Sequence, residues 1–350
     1  MSGHVVDTPP DGRLDLRGAR SERWRVETEP YELITMGRLG VDLYPLQSGV
    51  GLDRVETFGR FLGGSPANVA VAAARLGRRT ALVSRTGADP FGTALHHDLK
   101  RFGVDDHWVT EVAAYPTPVT FCELFPPDDF PLHFYRRPKA PDLEIHPHEL
   151  DLGAIRAARV FWATGTGLCA EPSRTATLEA LRARAGREVT VLDLDWRPVF
   201  WTDPAEARPY YAEALRHATV AVGNLDECEV ATGEREPHAA ARALLATGAV
   251  RLAVVKQGPE GVLALAADGT SAEVPPLPVE VVNGLGAGDA FGGALVHGLL
   301  AGWDLERILR HANAAGAIVA GRLACSSAMP YAEEIAEALA AGTGTIPERG

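Results

Sequence analysis

Short runs rich in Val, Ile and Leu alternate along most of the chain with longer Ala-rich stretches whose apolar residues recur every three or four positions. Runs of the first kind predict strands at Leu33–Met36, Thr80–Ser84, Val160–Thr164, Thr190–Asp193, Thr219–Val222 and Leu252–Lys256. Stretches of the second kind predict helices at Ala67–Leu76, Phe91–Phe102, Ser173–Ala185, Ala205–His217, Pro237–Thr247, Ala287–Leu300 and Leu305–Gly321. Strand followed by helix, repeated, is the sequence form of βαβ units, so the fold class is α/β with a parallel sheet covered on both faces. Two stretches break the rhythm. Residues 40–62 and 117–135 carry aromatic, β-branched and turn-forming residues without a helical period, and together they predict a small strand-built flap. Residues 1–29 show two prolines, mixed charge and no apolar core, and read as a disordered extension; 30–342 form the folded domain and 343–350 a tail.

Composition narrows the function classes. A chain of 350 residues, 46% hydrophobic and 23% charged, is that of an ordinary soluble protein. Its net charge of −12 argues against nucleic acid or an anionic membrane surface as the main partner. No apolar run approaches the ~18 residues that a membrane span needs. Cys122, Cys169, Cys228 and Cys325 are far apart and form no CxxC pair, so structural zinc and a disulfide framework are not expected, and the protein reads as cytoplasmic.

Candidate chemistry concentrates at two glycine clusters. Gly284-Leu-Gly-Ala-Gly-Asp289 runs straight into a helical pattern. Glycines there let backbone N–H groups approach an anion, and the helix N-terminus adds a favourable dipole. A cradle made by Gly286, Ala287 and Gly288 with Asp289 as a positioned base is what phosphoryl transfer to an alcohol requires. An ordinary helix cap is the bland alternative. Gly63-Gly64-Ser65-Pro66-Ala67-Asn68 is the second cluster. Ser65 suits an N-cap with Pro66 in the first turn, while Gly63, Gly64 and Asn68 would equally suit a polyol lying against the backbone.

Three further groups add polar chemistry. Asn224 and Glu227 have the spacing of a capping box, and could also hold Mg²⁺ through water. Asp193-Leu-Asp-Trp-Arg197 ends a predicted strand, where ligands of open α/β sheets bind, and Arg197 could fork onto a carboxylate. A local Asp–Arg pair explains it as well. Phe134-Tyr-Arg-Arg-Pro-Lys139 is a basic cluster in an acidic chain, which makes Tyr135 and Arg136 candidate substrate contacts, although solvated surface charge explains the cluster equally well. Gly165-Thr-Gly-Leu-Cys-Ala170 matches a loose dinucleotide pattern, but Glu171 and Pro172 follow at once and the next strand-end acid, Asp193, lies later than the usual spacing of about 20 residues. The histidines at 96, 97, 146 and 148 lack partners at metal-ligand spacing, and no GxxxxGK[ST] loop is present.

Taken together, Gly63-Gly64…Asn68…Arg75-Leu76-Gly77 and Gly286-Ala287-Gly288-Asp289, about 220 residues apart and in that order, resemble the two signatures of the PfkB (ribokinase) family of carbohydrate kinases. The resemblance covers residues 30–340. It implies a three-layer α/β/α ribokinase-like fold with a small β-strand lid, ATP and Mg²⁺ as cofactors, and Asp289 as base. It also implies that Asp42, Gly64 and Asn68 hold sugar hydroxyls, that Asn224 and Glu227 serve metal and phosphates, and that Lys256, Gly258, Gly261 and Asn313 line the nucleotide pocket. Where many members have Asp-Thr or Asp-Ser, this chain has Asn283-Gly284, which puts K⁺ activation in doubt. The segments 36–52 and 117–142 and the block Cys325–Pro330 look like the branch acting on a keto-deoxy sugar acid of inositol breakdown. A sugar kinase of other specificity is the competing reading; a dehydrogenase or a sugar-sensing binding protein is a remote one. Lid-to-lid homodimers occur in the family, so a homodimer is the quaternary option to test.

Overall fold

The main sheet grows outward in both directions from Leu33–Met36. On one side it pairs with Thr80–Gly87, which carries Val104–Asp105 and Val109–Val112; on the other follow Val160–Thr164, Val189–Asp193, Val220–Asn224 and Leu252–Lys256, all parallel. Val262–Ala266 and Ser271–Val274 extend that edge antiparallel. The computed structural model describes residues 29–346 apart from 185, 187 and 188. The predicted extension therefore lies almost entirely outside the described residues.

Strand periodicity explains the two cores. In Val160–Thr164, Val160 and Trp162 join the core on one face, while Phe161 and Ala163 join the core on the other. The first core is closed by the helices Ser65–Arg75, Ala287–Ala301 and Leu305–Ala320, the second by Ser173–Arg184, Pro204–Leu215 and Pro237–Leu245. A sheet buried on both faces reads as continuous apolar runs, which is why its central strands were visible to the pattern. The result is the three-layer α/β/α arrangement.

Gly40–Pro45, Phe58–Gly63, Val119–Cys122 and Leu132–Tyr135 form a separate four-stranded sheet, within the two stretches that lack a helical period. The hairpin at 262–274 is absent from the predicted elements. Its turn holds Asp268-Gly269, with Gly269 at φ 91, a pair that favours tight hairpins. Among the described residues no helix is long and apolar enough to cross a membrane.

Candidate active site

Most polar groups of the site stand at the carboxyl end of a parallel strand or on the two helices beside it, while Asp42 and Thr120 come from the four-stranded sheet. Arg38 follows Leu33–Met36, Thr166 follows Val160–Thr164, Asp193 ends Val189–Asp193 with Asp195 and Arg197 just beyond, Asn224 ends its strand, and Lys256 ends Leu252–Lys256. Sheet growth reverses direction at Leu33–Met36, and the crevice outside such a switch point is where open α/β sheets bind ligands.

Asp289 lies in the first turn of Ala287–Ala301. Ser65 Oγ donates to its Oδ1 at 2.7 Å and Asn68 Nδ2 to its Oδ2 at 2.9 Å. The two helices approach closely because Gly293 has no side chain; a Cβ there would fall 2.4 Å from that of Ala72. Burial raises the Asp289 pKa, and the hydrogen bonds from Asn68 and Ser65 pull the other way. The result is a half-buried carboxylate of raised basicity with both oxygens oriented. Ser65 is not the N-cap that the sequence suggests: it is the first helical residue, Gly64 is the cap, and no side chain caps this helix. The hydroxyl goes to Asp289 instead.

Gly63 and Gly64 make room. A Cβ on Gly63 would sit 2.2 Å from the Asp42 carboxyl, and one on Gly64, at φ 104, would sit 2.4 Å from the Arg38 carbonyl. Asp42 thereby reaches the same cavity as Asp289. Burial pushes its pKa up to about 7, with Arg38 lowering it and Asp289 raising it. Gly286 caps Ala287–Ala301 at φ 81, again with no side-chain cap, so first-turn N–H groups are left for an anion. A Cβ on Gly286 would meet Cys325 Sγ at 2.5 Å, whereas one on Gly288 would meet only Lys256 Nζ, at 3.4 Å. The Lys256 ammonium therefore abuts the glycine loop. Burial works against its charge, but the carboxylates of Asp193, Glu227, Asp289 and Asp195 prevail and raise its pKa.

Asp193 and Asp195 divide the local charge. Burial raises Asp193, while Arg197 and Arg38 overcome burial and hold Asp195 low. Asn224 and Glu227 form the capping box: Asn224 Oδ1 accepts from the Glu227 N–H at 2.9 Å, and Glu227 Oε2 accepts from the Asn224 N–H at 2.7 Å. One Glu227 oxygen and the Asn224 amide nitrogen remain beyond those two bonds. Gly258 and Gly261 shape the turn after Lys256. Asn313 donates to the carbonyls of Val274 and Pro275, and lines a groove of about 720 Å³ with Pro276 and His311. That volume falls within the roughly 300–1,000 Å³ usual for ligand sites.

Two expected substrate contacts lie elsewhere. Strand alternation turns Leu132 and Phe134 toward the cavity and Tyr135 outward; Tyr135 is 66% exposed and packs edge-on against Phe121. Arg136 is consumed by a buried pair with Asp142 at 2.6 Å and lies over the Phe200 ring. Lys139 is likewise paired, with Glu144. Conversely, Arg38, Ser65, Thr120, Phe134 and Cys325 line the cavity although the sequence did not single them out for it. Arg38 carried the same signal as Arg197, a cation just past a strand end.

Comparison with known proteins agrees with this geometry. The profile of the pfkB family carbohydrate kinases matches residues 32–332. Two 5-dehydro-2-deoxygluconokinases are similar to the chain: that of Clostridium tetani is 32% identical over 88% of this chain and 93% of its own length, and that of Shouchella clausii is 30% identical over 88% and 95%. Among solved structures, a candidate Ribokinase II of E. coli in complex with ATP and Mg²⁺ superposes with a TM-score of 0.81 at 25% identity, covering 89% of this chain and 99% of that one. A fructokinase of Xylella fastidiosa with bound ATP gives 0.78 at 25% identity over the same shares. With both glycine signatures at one cavity and the matched profile spanning the domain, the chain belongs to the pfkB family of carbohydrate kinases.

Proposed function

We propose that the chain phosphorylates 5-dehydro-2-deoxy-D-gluconate on its C6 hydroxyl, using ATP, in the breakdown of myo-inositol. The observation that carries the reading is the half-buried Asp289 carboxylate, held by Ser65 and Asn68 between the uncapped glycine loop and the cationic Arg197. As the C6 oxygen bonds to the terminal phosphorus of ATP, the bond from that phosphorus to the bridging oxygen breaks, ADP leaves with the bonding electrons, and the hydroxyl proton passes to Asp289. Burial favours that transfer by raising the basicity of the carboxylate. The four-stranded sheet, through Leu132 and Phe134, walls the cavity and keeps water from competing with the sugar.

The residues fit the expected cofactors. Bound ATP supplies the phosphoryl group, and Mg²⁺ offsets the charge on its phosphates. Gly286, Ala287 and Gly288 offer backbone donors and Lys256 a cation at the phosphate end. Among the described residues no group of three or more acids, histidines or cysteines could enclose a metal. This suits an ion carried on phosphates and reached through water by Asn224 and Glu227. Asn283 is fully buried, donating to the Leu323 carbonyl at 2.7 Å and accepting from the Leu285 N–H at 3.0 Å. A neutral amide committed at both ends argues against a K⁺ requirement.

The outer face of the four-stranded sheet supports a homodimer. Phe58, Phe121 and Tyr135 form an edge-to-face row there, with centroids 5.5 and 5.2 Å apart, and Tyr135 at its end is open to solvent.

The test is ADP production by the purified protein with this acid, 2-keto-3-deoxygluconate, fructose and ribose, in K⁺ and in Na⁺. The acid gives the highest kcat/KM, and the two cations give equal rates. A preference for a neutral sugar refutes the substrate and leaves the kinase intact.

A further inference from the structure

Two guanidinium groups face the cavity of Asp289, and they share one counter-ion. Arg38 is 8% exposed; its Nε donates to Thr166 Oγ1 at 3.3 Å and its Nη2 to Asp195 Oδ2 at 3.4 Å. Both contacts are long for a group of this charge. Arg197 places Nη2 2.9 Å from Asp195 Oδ1, and its buried Nε has no hydrogen-bond partner. Asp195 serves both by adopting φ 29, a left-handed backbone that side-chain-bearing residues seldom take and that tends to mark functional sites. Each guanidinium has several N–H donors, and these contacts use only some of them. Two guanidinium groups in contact with one carboxylate leave N–H donors to spare on both.

Position says what those donors are for. Lys256 stands against Gly288, at the phosphate end. Arg38 lines the cavity of Asp289, as Lys256 does not, and stands beside Asp42, flanked by the rings of Phe134 and Phe200 at 5.7 and 5.8 Å. The rings keep bulk water off the cation, which strengthens its grip on an anion. Arg136, which also lies over the Phe200 ring, is already paired with Asp142.

We propose that Arg38, with Arg197 beside it, receives the carboxylate of the acceptor, and that Asp195 is the positioning residue that aims the two forks. The inference rests on the sugar-acid reading and adds the residue that tells an acid from a neutral sugar. Phe134 belongs to the four-stranded sheet, so ordering of that sheet and capture of the carboxylate are linked through one cation–π contact.

The experiment compares kcat/KM for the keto-deoxy sugar acid and for its primary amide, which keeps every hydroxyl and loses the charge. Wild-type protein favours the acid by about 10–150-fold, the worth of a charge-assisted hydrogen bond. Arg38→Gln removes most of that preference by raising KM for the acid, and Arg38→Lys, which keeps charge but not the fork, falls between. Arg38→Gln that is folded by circular dichroism and keeps the wild-type ratio overturns the proposal. If Arg38→Gln does not fold, Arg38→Lys decides: an unchanged ratio overturns the proposal and a reduced one sustains it. A wild-type protein indifferent to the charge overturns the sugar-acid reading and this inference together, whereas a preference untouched by either variant overturns the inference alone.

Discussion

Asp289→Asn separates catalysis from architecture, because the structure predicts opposite outcomes for turnover and for stability. Asn has the shape of Asp, its amide oxygen can accept from Asn68 Nδ2, and its amide nitrogen can donate to Ser65 Oγ, so both observed contacts have a neutral replacement. What is lost is the base. General-base catalysis contributes roughly 10²–10⁴-fold, so turnover falls by that factor, equivalent to about 3–5 kcal/mol of transition-state stabilisation. Stability moves differently. Burial raises the Asp289 pKa, which means the folded state holds the proton more tightly than the unfolded chain. Raising pH through the folded value then costs stability, and at neutral pH an uncharged amide escapes that cost. The variant therefore melts no lower than wild type while turning over far more slowly. Coupled ADP release at saturating substrate and a thermal melt at neutral pH are the two measurements. Near wild-type turnover removes Asp289 from the role of base, and a large drop in melting temperature shows that its worth was structural.

Arg136→Gln leaves a buried Asp142 carboxylate unpaired, so it destabilises the protein by about 3–5 kcal/mol in chemical denaturation without altering the preference for acid over amide. Gly286→Ala forces a Cβ into Cys325 from a left-handed backbone and abolishes activity in a folded protein; Gly288→Ala, which meets only the Lys256 ammonium at 3.4 Å, retains measurably more. Asp42 is raised by burial to about 7 from an ordinary carboxylate value, so between the two values unfolding releases one proton and the substrate-free protein loses stability as pH rises. Asp42→Asn flattens that decline by up to about 1.4 kcal/mol per pH unit, read from urea midpoints between pH 5 and pH 7; an unchanged slope shows that Asp42 is ionised throughout.

The central strands and most helices are legible in the sequence because burial on both faces imposes a pattern that survives translation into residue order. Leu33–Met36, Val160–Thr164 and Leu252–Lys256 end where the apolar runs end. The hairpin at 262–274 is harder, because an edge strand such as Ser271–Val274 buries little and leaves little trace. Glycine loops are legible for a different reason: Gly64 and Gly286 occupy backbone conformations that other residues disfavour, so their identity is fixed by geometry rather than by packing.

Side-chain assignments inside the site depend on what the sequence leaves out, namely which neighbour already claims a charge. Arg136, Arg137 and Lys139 form the most conspicuous basic cluster in the chain, yet Asp142 and Glu144 lie three to five residues further on and neutralise Arg136 and Lys139. Arg38 stands in an unremarkable Met-Gly-Arg-Leu and meets its single shared acid 157 residues later. A local cluster of charge tends to find local partners, as surface chains do, and is then spent. A solitary cation at the end of a buried strand forms its ion pair with an acid that can lie far off in the chain. Whatever it meets is set by which strands lie side by side, and here the central strand brings Arg38 to Asp195, already shared with Arg197. Parallel topology thus concentrates distant residues with donors to spare at one edge of the sheet, and the anion-binding potential of this fold arises from that concentration rather than from any basic motif.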